Sequence, residues 1–383
     1  MTGETQMNVC IIGGGNIGSG IAACAAKNGH SVRVFASRFA EFDPVLRATD
    51  PTTGESFSAA IDFATSDLKR ALSGADVICV TYPSFMMRDI FLQIRDTLET
   101  PSRIGVFPGT GGAEFFAGPL LESGHTFFGL DRVPYVSRLE QYGKAVSLSK
   151  KPSVRVAALP GDKTEELCGI CEQILDVRCL PLRNYLTITF TPSNPILHPA
   201  RSYTLFSDYR EGMVYPRKFK FYREWTMAAS ETLIRLDEEL QSICRALDEI
   251  DLSEVIPVTT HYESYTPEEM THKLTSIRSL ADIDAPMKAV PGGYAPDFAS
   301  RYFTEDVPFG LCVLKGFAYA LGLPTPCMDE VILWSQRMMG KRYIDEDGTP
   351  AADFAETTAP QTFGITCKED IYRYYRRLPG TTA

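Results

Sequence analysis

Histidine is scarce in this chain, five residues in 383, and several features that would assign a protein to a class at once are missing. No run approaches the roughly 18–20 uninterrupted apolar residues of a membrane-spanning helix, so no membrane partner is expected. The opening "MTGETQMNVCIIGGG" has no basic region ahead of an apolar one, which argues against a signal peptide and for a cytoplasmic protein. A net charge of −10 removes the basic stripe that phosphate backbones require, so no nucleic-acid partner is expected. Ten cysteines lie mostly in apolar runs, where they behave as small reduced hydrophobes. Cys168 and Cys171 form a CxxC without a second pair at zinc-ligand spacing, so no metal site is expected. No internal repeat or low-complexity linker divides the chain.

What is present is an alternation. "MNVCIIG" is a continuous apolar run of the kind buried on both faces of a parallel sheet. A helical pattern follows, then "HSVRVFAS", "TSDLKRALSGA", "DVICVTYP", "MMRDIFLQIRDTL" and "RIGVFPG". Strands alternating with helices imply right-handed crossovers and a doubly wound sheet. From about residue 184 helical patterns dominate, as in "WTMAASETLIRLDEELQSICRAL". The expected fold is therefore α/β plus all-α: a Rossmann dinucleotide-binding domain over 1–183 and a helical substrate domain over 184–383. The acidic stretch 343–360 reads as a solvated loop, and Asp237 with Glu238 as a charged helix face.

Gly13, Gly15 and Gly18 form GxGxxG between the first strand and the first helix. Gly13 permits the tight turn, Gly15 lets a pyrophosphate approach the backbone, and Gly18 allows close helix–strand packing. Asn16 and Ile17 open the helix, whose unpaired N–H groups face the anion. NAD-binding domains usually carry a carboxylate at the end of the second strand. Here Ser37 and Arg38 stand there, suited to a 2′-phosphate, so NADP is the expected cofactor with NAD still allowed. Tyr82 and Pro83, and the loop Pro108–Gly112, end later strands and are placed beside the cofactor.

One of the five histidines sits in "TPSNPILHPAR", residues 191–201, pinned by prolines. "SNPILHPAR" resembles the asparagine-proline…histidine-proline signature of the octopine/nopaline, or opine, dehydrogenase family. "RYFTEDVPFGL" (301–311) and "LGLPTPCMDEVI" (321–332) resemble two further segments of that family, in the same order. The resemblance spans nearly the whole chain. It implies reductive condensation of an amino acid with a 2-oxo acid, through an imine reduced by NAD(P)H. The family's acid/base histidine and its orienting aspartate fall on His198 and Asp306, and its carboxylate-binding arginine on Arg301.

The residue types suit that chemistry on their own. Histidine exchanges protons near neutral pH, and an adjacent carboxylate fixes its tautomer. Arg301 offers a planar fork to a substrate carboxylate, Arg201 a second, and Asn194 can reach substrate or bond to the turn. Asp306 also stands where it could cap a helix beginning at "VPFGL". Arg210, Arg217, Lys218 and Lys220 add basic charge near the presumed cleft. Two alternatives stay open: a 2-hydroxy-acid or polyol phosphate dehydrogenase, which would need a catalytic lysine, and a silent NADP(H)-sensing protein. The expected partners are small molecules; a homodimer is compatible with the sequence, which leaves oligomeric state open.

Overall fold

A computed structural model describes residues 6–377. Its contacts divide the chain into two compact units, one running to Thr189 and resuming at Tyr375, the other Phe190–Tyr374.

Among the described residues the first unit holds twelve strands. They are β1 (Asn8–Ile12), β2 (Ser31–Phe35), β3 (Val45–Thr49), β4 (Ser56–Ala60), β5 (Phe63–Thr65) and β6 (Val77–Val80). Then follow β7 (Arg103–Val106), β8 (Thr126–Leu130), β9 (Tyr135–Gln141), β10 (Ala145–Lys150), β11 (Ser153–Leu159) and β12 (Arg178–Pro181). Eight strands make one sheet in the order β12-β11-β8-β7-β6-β1-β2-β5. Its neighbours are parallel except for β8 and β11. Helices on both faces explain why β1 beyond Asn8 and the whole of β6 are apolar: Val9–Ile12 and Val77–Val80 are all fully buried.

The strand order reverses at β1, which has β2 on one side and β6 on the other. Such a switch point opens a crevice at the carboxyl ends of the strands. The register puts the chemistry there. Ile12 pairs with Phe35 and with Val80, so Gly13, Ala36 and Thr81 emerge side by side. Helix α1 (Asn16–Lys27) leaves from this edge, with Ile21, Ala22, Cys24 and Ala25 packed inside.

The sequence patterns do not announce a second sheet, β4-β3-β10-β9, which packs against the other side of α1. Its strands are short, and β3 and β4 expose much of their length. The helical patterns at 87–97 and 164–175 form as expected, and Cys168 lies on the second of these helices with its thiol pushed up to about 12 by burial.

In the second unit the main helices are α2 (Asn194–Phe206), α3 (Met227–Ala246), α4 (Pro267–Ser276), α5 (Cys312–Ala320) and α6 (Pro326–Met339). Leu233, Leu236, Leu240 and Ile243 give α3 one buried stripe at helical spacing. A capping box fixes the start of α4: Thr266 accepts from the Glu269 amide, and Glu269 accepts from that of Thr266. A two-stranded hairpin, Met287–Val290 with Gly293–Pro296, is added to the helices.

Two local readings change. Asp237 is not part of a solvated face: it is 3% exposed and accepts from the Val258 amide at 3.0 Å, with burial raising its carboxyl to about 6. The stretch 343–360 is irregular but anchored. Gln336 bonds the backbone of Tyr343 and Ile344 at 2.7–2.9 Å, and Phe354 and Ala359 are buried. Apolar residues spaced irregularly among acids carry no period to read.

Glu114, in the turn after β7, is completely buried; Thr189 donates to its Oε1 at 2.5 Å and Tyr375 at 2.8 Å. Burial raises its carboxyl to about 7 against those donors. The folded state therefore holds a proton that the unfolded chain releases at lower pH. The stabilisation is fully present below the unfolded value near 4.5 and is lost as pH rises through about 7. Thermal melts should show stability falling between about pH 5 and 8, and Glu114→Gln should flatten that slope. An equally steep slope in the variant would locate the effect elsewhere.

Candidate active site

At the crevice edge each glycine has its own constraint. Gly13 has φ +118°, and a Cβ there would lie 2.4 Å from Thr81 Oγ1. At Gly18 a Cβ would meet the Gly13 carbonyl oxygen at 1.8 Å, so this helix–loop approach tolerates no side chain. Gly15, by contrast, has nothing within 4 Å. Packing does not demand glycine at that point; an open approach to the backbone does. No side chain caps α1, and its first turn carries no acidic residue, so the amide ends of Asn16, Ile17 and Gly18 suit a pyrophosphate. The Asn16 side chain accepts from the Leu139 amide at 2.8 Å, which leaves its main-chain N–H for an anion. These features fit a dinucleotide.

Tyr82 lies against Gly13, half-buried, and Pro83 follows it. Ser37 and Arg38 are exposed at the end of β2. The Arg38 guanidinium is forked onto Glu41, with Nε donating at 2.6 Å, and lies 4.0 Å from the Tyr142 ring centroid. Tyr142 comes from the turn between β9 and β10, and Phe42 packs edge-on against it at 5.4 Å. Both rings border Gly14. Glu41, too far past the strand end to be read as the ribose carboxylate, belongs to this edge, and so does Tyr142, which sequence reasoning missed. Tyr142 reaches the loop only through the second sheet.

The proline-pinned histidine segment is a helix. Pro195 occupies its first turn, where a missing amide costs nothing, and Pro199 lies inside α2. His198 faces a π-helical turn, Val307–Leu311, in which the Leu311 amide donates to the Asp306 carbonyl at 2.9 Å. Gly310 lets the two segments close: a Cβ there would sit 3.0–3.1 Å from Pro195. His198 Nδ1 then meets Asp306 Oδ2 at 2.8 Å, with the two side chains 12% and 14% exposed. Asp306 makes no capping bond to the turn it precedes. Because a carboxylate only accepts, Nδ1 carries the proton and Nε2 is left to exchange one.

A third group was missed. Tyr222 brings its hydroxyl to 3.2 Å from His198 Nε2. The imidazole also lies against Tyr302, centroids 4.4 Å apart, and edge-on to Phe221 at 5.4 Å. Nothing in "FYREW" marks Tyr222 as different from any other aromatic in an apolar run.

The remaining expected residues divide. Arg301 stands at the start of the short helix Arg301–Thr304, 70% exposed and 3.9 Å from Glu305, with its fork open to solvent. Asn194 is exposed at the first turn of α2. Arg201 is a correction. It is 1% exposed, its Nε donates to the Phe221 carbonyl at 3.1 Å and its Nη2 to that of Glu224 at 2.7 Å. Burial lowers it to about 10, and the guanidinium serves the protein backbone rather than a substrate carboxylate. The basic stretch is likewise committed: Arg217 pairs with Glu224, and Lys218 and Lys220 pair with Asp284. Lys315, a buried lysine of this unit, bonds Asp329 at 2.5 Å and Thr325 at 3.0 Å, tying α5 to α6. It therefore does not serve the lysine-dependent alternative.

Residues 181–339 match the α-helical domain of NAD/NADP octopine/nopaline dehydrogenases. Residues 8–107 match the N-terminus of NAD-dependent glycerol-3-phosphate dehydrogenase. Octopine dehydrogenase of Pecten maximus is 27% identical, over 95% of this chain and 98% of that protein. A structure of octopine dehydrogenase with NADH and L-arginine superposes at TM-score 0.85, with 26% identity and 99% of each chain covered. The chain is similar over nearly its whole length to members of the opine dehydrogenase family, and the matches of both its halves support that family. It is an NAD(P)-dependent oxidoreductase acting on CH–NH groups, of the kind that performs reductive condensation.

Tauropine dehydrogenase of Arabella iricolor is another relative, 27% identical over 86% of this chain and 85% of its own. An NADP+-bound yersinopine dehydrogenase structure shares the fold at TM-score 0.68 with 16% identity. Within this family framework the two arginines should behave oppositely in denaturant. Arg201→Ala removes a buried guanidinium and two backbone bonds, so unfolding free energy should drop by about 2–4 kcal/mol. Arg301→Ala, at an exposed site, should change it by less than about 0.5 kcal/mol. Equal losses would contradict the assignment of Arg201 to the protein interior.

Proposed function

We propose that the chain condenses the α-amine of an amino acid with a 2-oxo acid and reduces the resulting imine, giving a secondary-amine dicarboxylate. The observation that carries this reading is the His198–Asp306 hydrogen bond at 2.8 Å. Condensation needs a proton taken from the ammonium, so that its lone pair can attack the oxo carbon. It then needs a proton returned to the carbinolamine oxygen, so that water can leave. His198 Nε2 does both in turn, and Asp306 holds the ring and stabilises its charged form between them. NAD(P)H, when bound, supplies the hydride that reduces the imine carbon. Arg301 pairs with a substrate carboxylate through its open fork, and Asn194 offers an exposed amide at the first turn of α2. Structures of octopine dehydrogenase with L-arginine and with pyruvate support this pairing of substrate classes.

For the cofactor we take NADPH as preferred, with NADH also accepted. Arg38 is held by Glu41 in an exposed ion pair, weakened by solvent screening, which a 2′-phosphate dianion can displace. Glu41 in turn repels that phosphate and can accept from a ribose 2′-hydroxyl. The pair therefore tempers the preference.

His198→Ala should lower kcat by about 10²–10⁴-fold while NADPH binding, followed by its fluorescence, stays unchanged. A near-wild-type rate would end the assignment. In the same binding assay Arg38→Ala should weaken NADPH by about tenfold or more and leave NADH nearly untouched. Glu41→Gln should tighten NADPH. Parallel changes for both cofactors would remove Arg38 from the 2′-phosphate site.

A further inference from the structure

We propose that Tyr222 is a positioning residue that sets the proton balance of His198 by opposing Asp306 across the imidazole. The inference rests on His198 as the acid/base. The two ring nitrogens have unlike partners: Asp306 Oδ2 at 2.8 Å from Nδ1 and the Tyr222 hydroxyl at 3.2 Å from Nε2. A carboxylate beside the ring favours its charged form. A hydroxyl donating to the Nε2 lone pair favours the neutral form, because that lone pair disappears on protonation.

Tyr222 is built to remain a donor. It is 7% exposed, and burial, with Tyr302, Tyr262 and Asp306 nearby, holds its phenol well above the ordinary tyrosine range. Its ring stacks on Trp225 at 6.2 Å and meets Phe221 edge-on at 5.1 Å. The segment carrying it is fastened to α2 by Arg201, one turn beyond His198, through the carbonyls of Phe221 and Glu224. The Glu224 carboxylate closes the same segment by accepting from the Lys220 amide and from Arg217. The titratable and charged groups around the imidazole are thus Asp306 and Tyr302 from 301–311, Tyr222 from its segment, and Arg201 on α2 itself. Tyr262 lies towards Tyr222, and Glu305 precedes Asp306.

This opposition suits a reaction that needs both forms of the ring. The neutral imidazole must take a proton from the ammonium, and the charged one must give a proton to the carbinolamine. The hydroxyl serves the first of these steps and the carboxylate the second. Arg201, misread from sequence as a substrate ligand, here acts through Tyr222.

The test is the protonation midpoint of His198, followed by NMR in protein carrying ¹³C-labelled histidine, with the resonance identified by its loss in His198→Ala. Tyr222→Phe, which keeps the ring and removes the hydroxyl, should raise the midpoint by about half to one pH unit. Asp306→Asn should lower it. The limb of kcat/KM governed by this group should move the same way, which a merely structural role would not produce. A midpoint unchanged or lowered in folded Tyr222→Phe overturns the proposal. Should His198→Ala keep its turnover, the acid/base reading fails instead, and the midpoint still decides the role of Tyr222.

Discussion

One hydrogen bond spans 108 positions of chain, from His198 Nδ1 to Asp306 Oδ2, and the arrangement of the second unit is what brings its ends together. The helix carrying the histidine must lie almost in backbone contact with the turn carrying the aspartate. Gly310 against Pro195 provides that approach. The π-helical geometry of 307–311 frees the turn from the ordinary helical register and aims the carboxylate at the ring rather than at its own backbone. Arg201 and the aromatic cluster of Phe221, Tyr222 and Trp225 then wall the imidazole from the opposite side. Local order in this unit converges on holding one imidazole still.

The first unit solves a different problem, presenting backbone to an anion. Its sheet order makes the crevice, and the register of β1 with β2 and β6 delivers the three relevant chain segments to the same edge. Two of the glycines are obligatory for packing, while Gly15 has open space above it. In the loop that opens onto the crevice, that space suits the close approach of a pyrophosphate to the backbone. The second sheet contributes an aromatic border through Tyr142 and engages Arg38 by a cation–π contact.

How much of this was legible depended on whether a residue acts locally. The glycine loop could be read because its strand, turn and helix are adjacent in sequence and each glycine has a local reason. His198, Asp306 and Arg301 were found through motif resemblance, and a distance of 2.8 Å now joins the first two. Arg201 was misread because arginine near a histidine looks alike whether its fork faces a substrate or two buried carbonyls. Tyr222 and Tyr142 gave no signal, being ordinary aromatics whose partners lie in distant segments. The prolines pinning the histidine did not announce a helix, yet one occupies its first turn and the other lies inside it. The short strands of the second sheet, partly exposed, lacked the continuous apolar run that marked β1 and β6.

The central claim is that His198 and Asp306 act as one unit in proton transfer. A double-variant cycle in kcat tests it most directly. If Asp306 works only through the imidazole, His198→Ala combined with Asp306→Asn should be no slower than His198→Ala alone. Losses that multiply, each residue contributing its full effect without the other, would contradict the account.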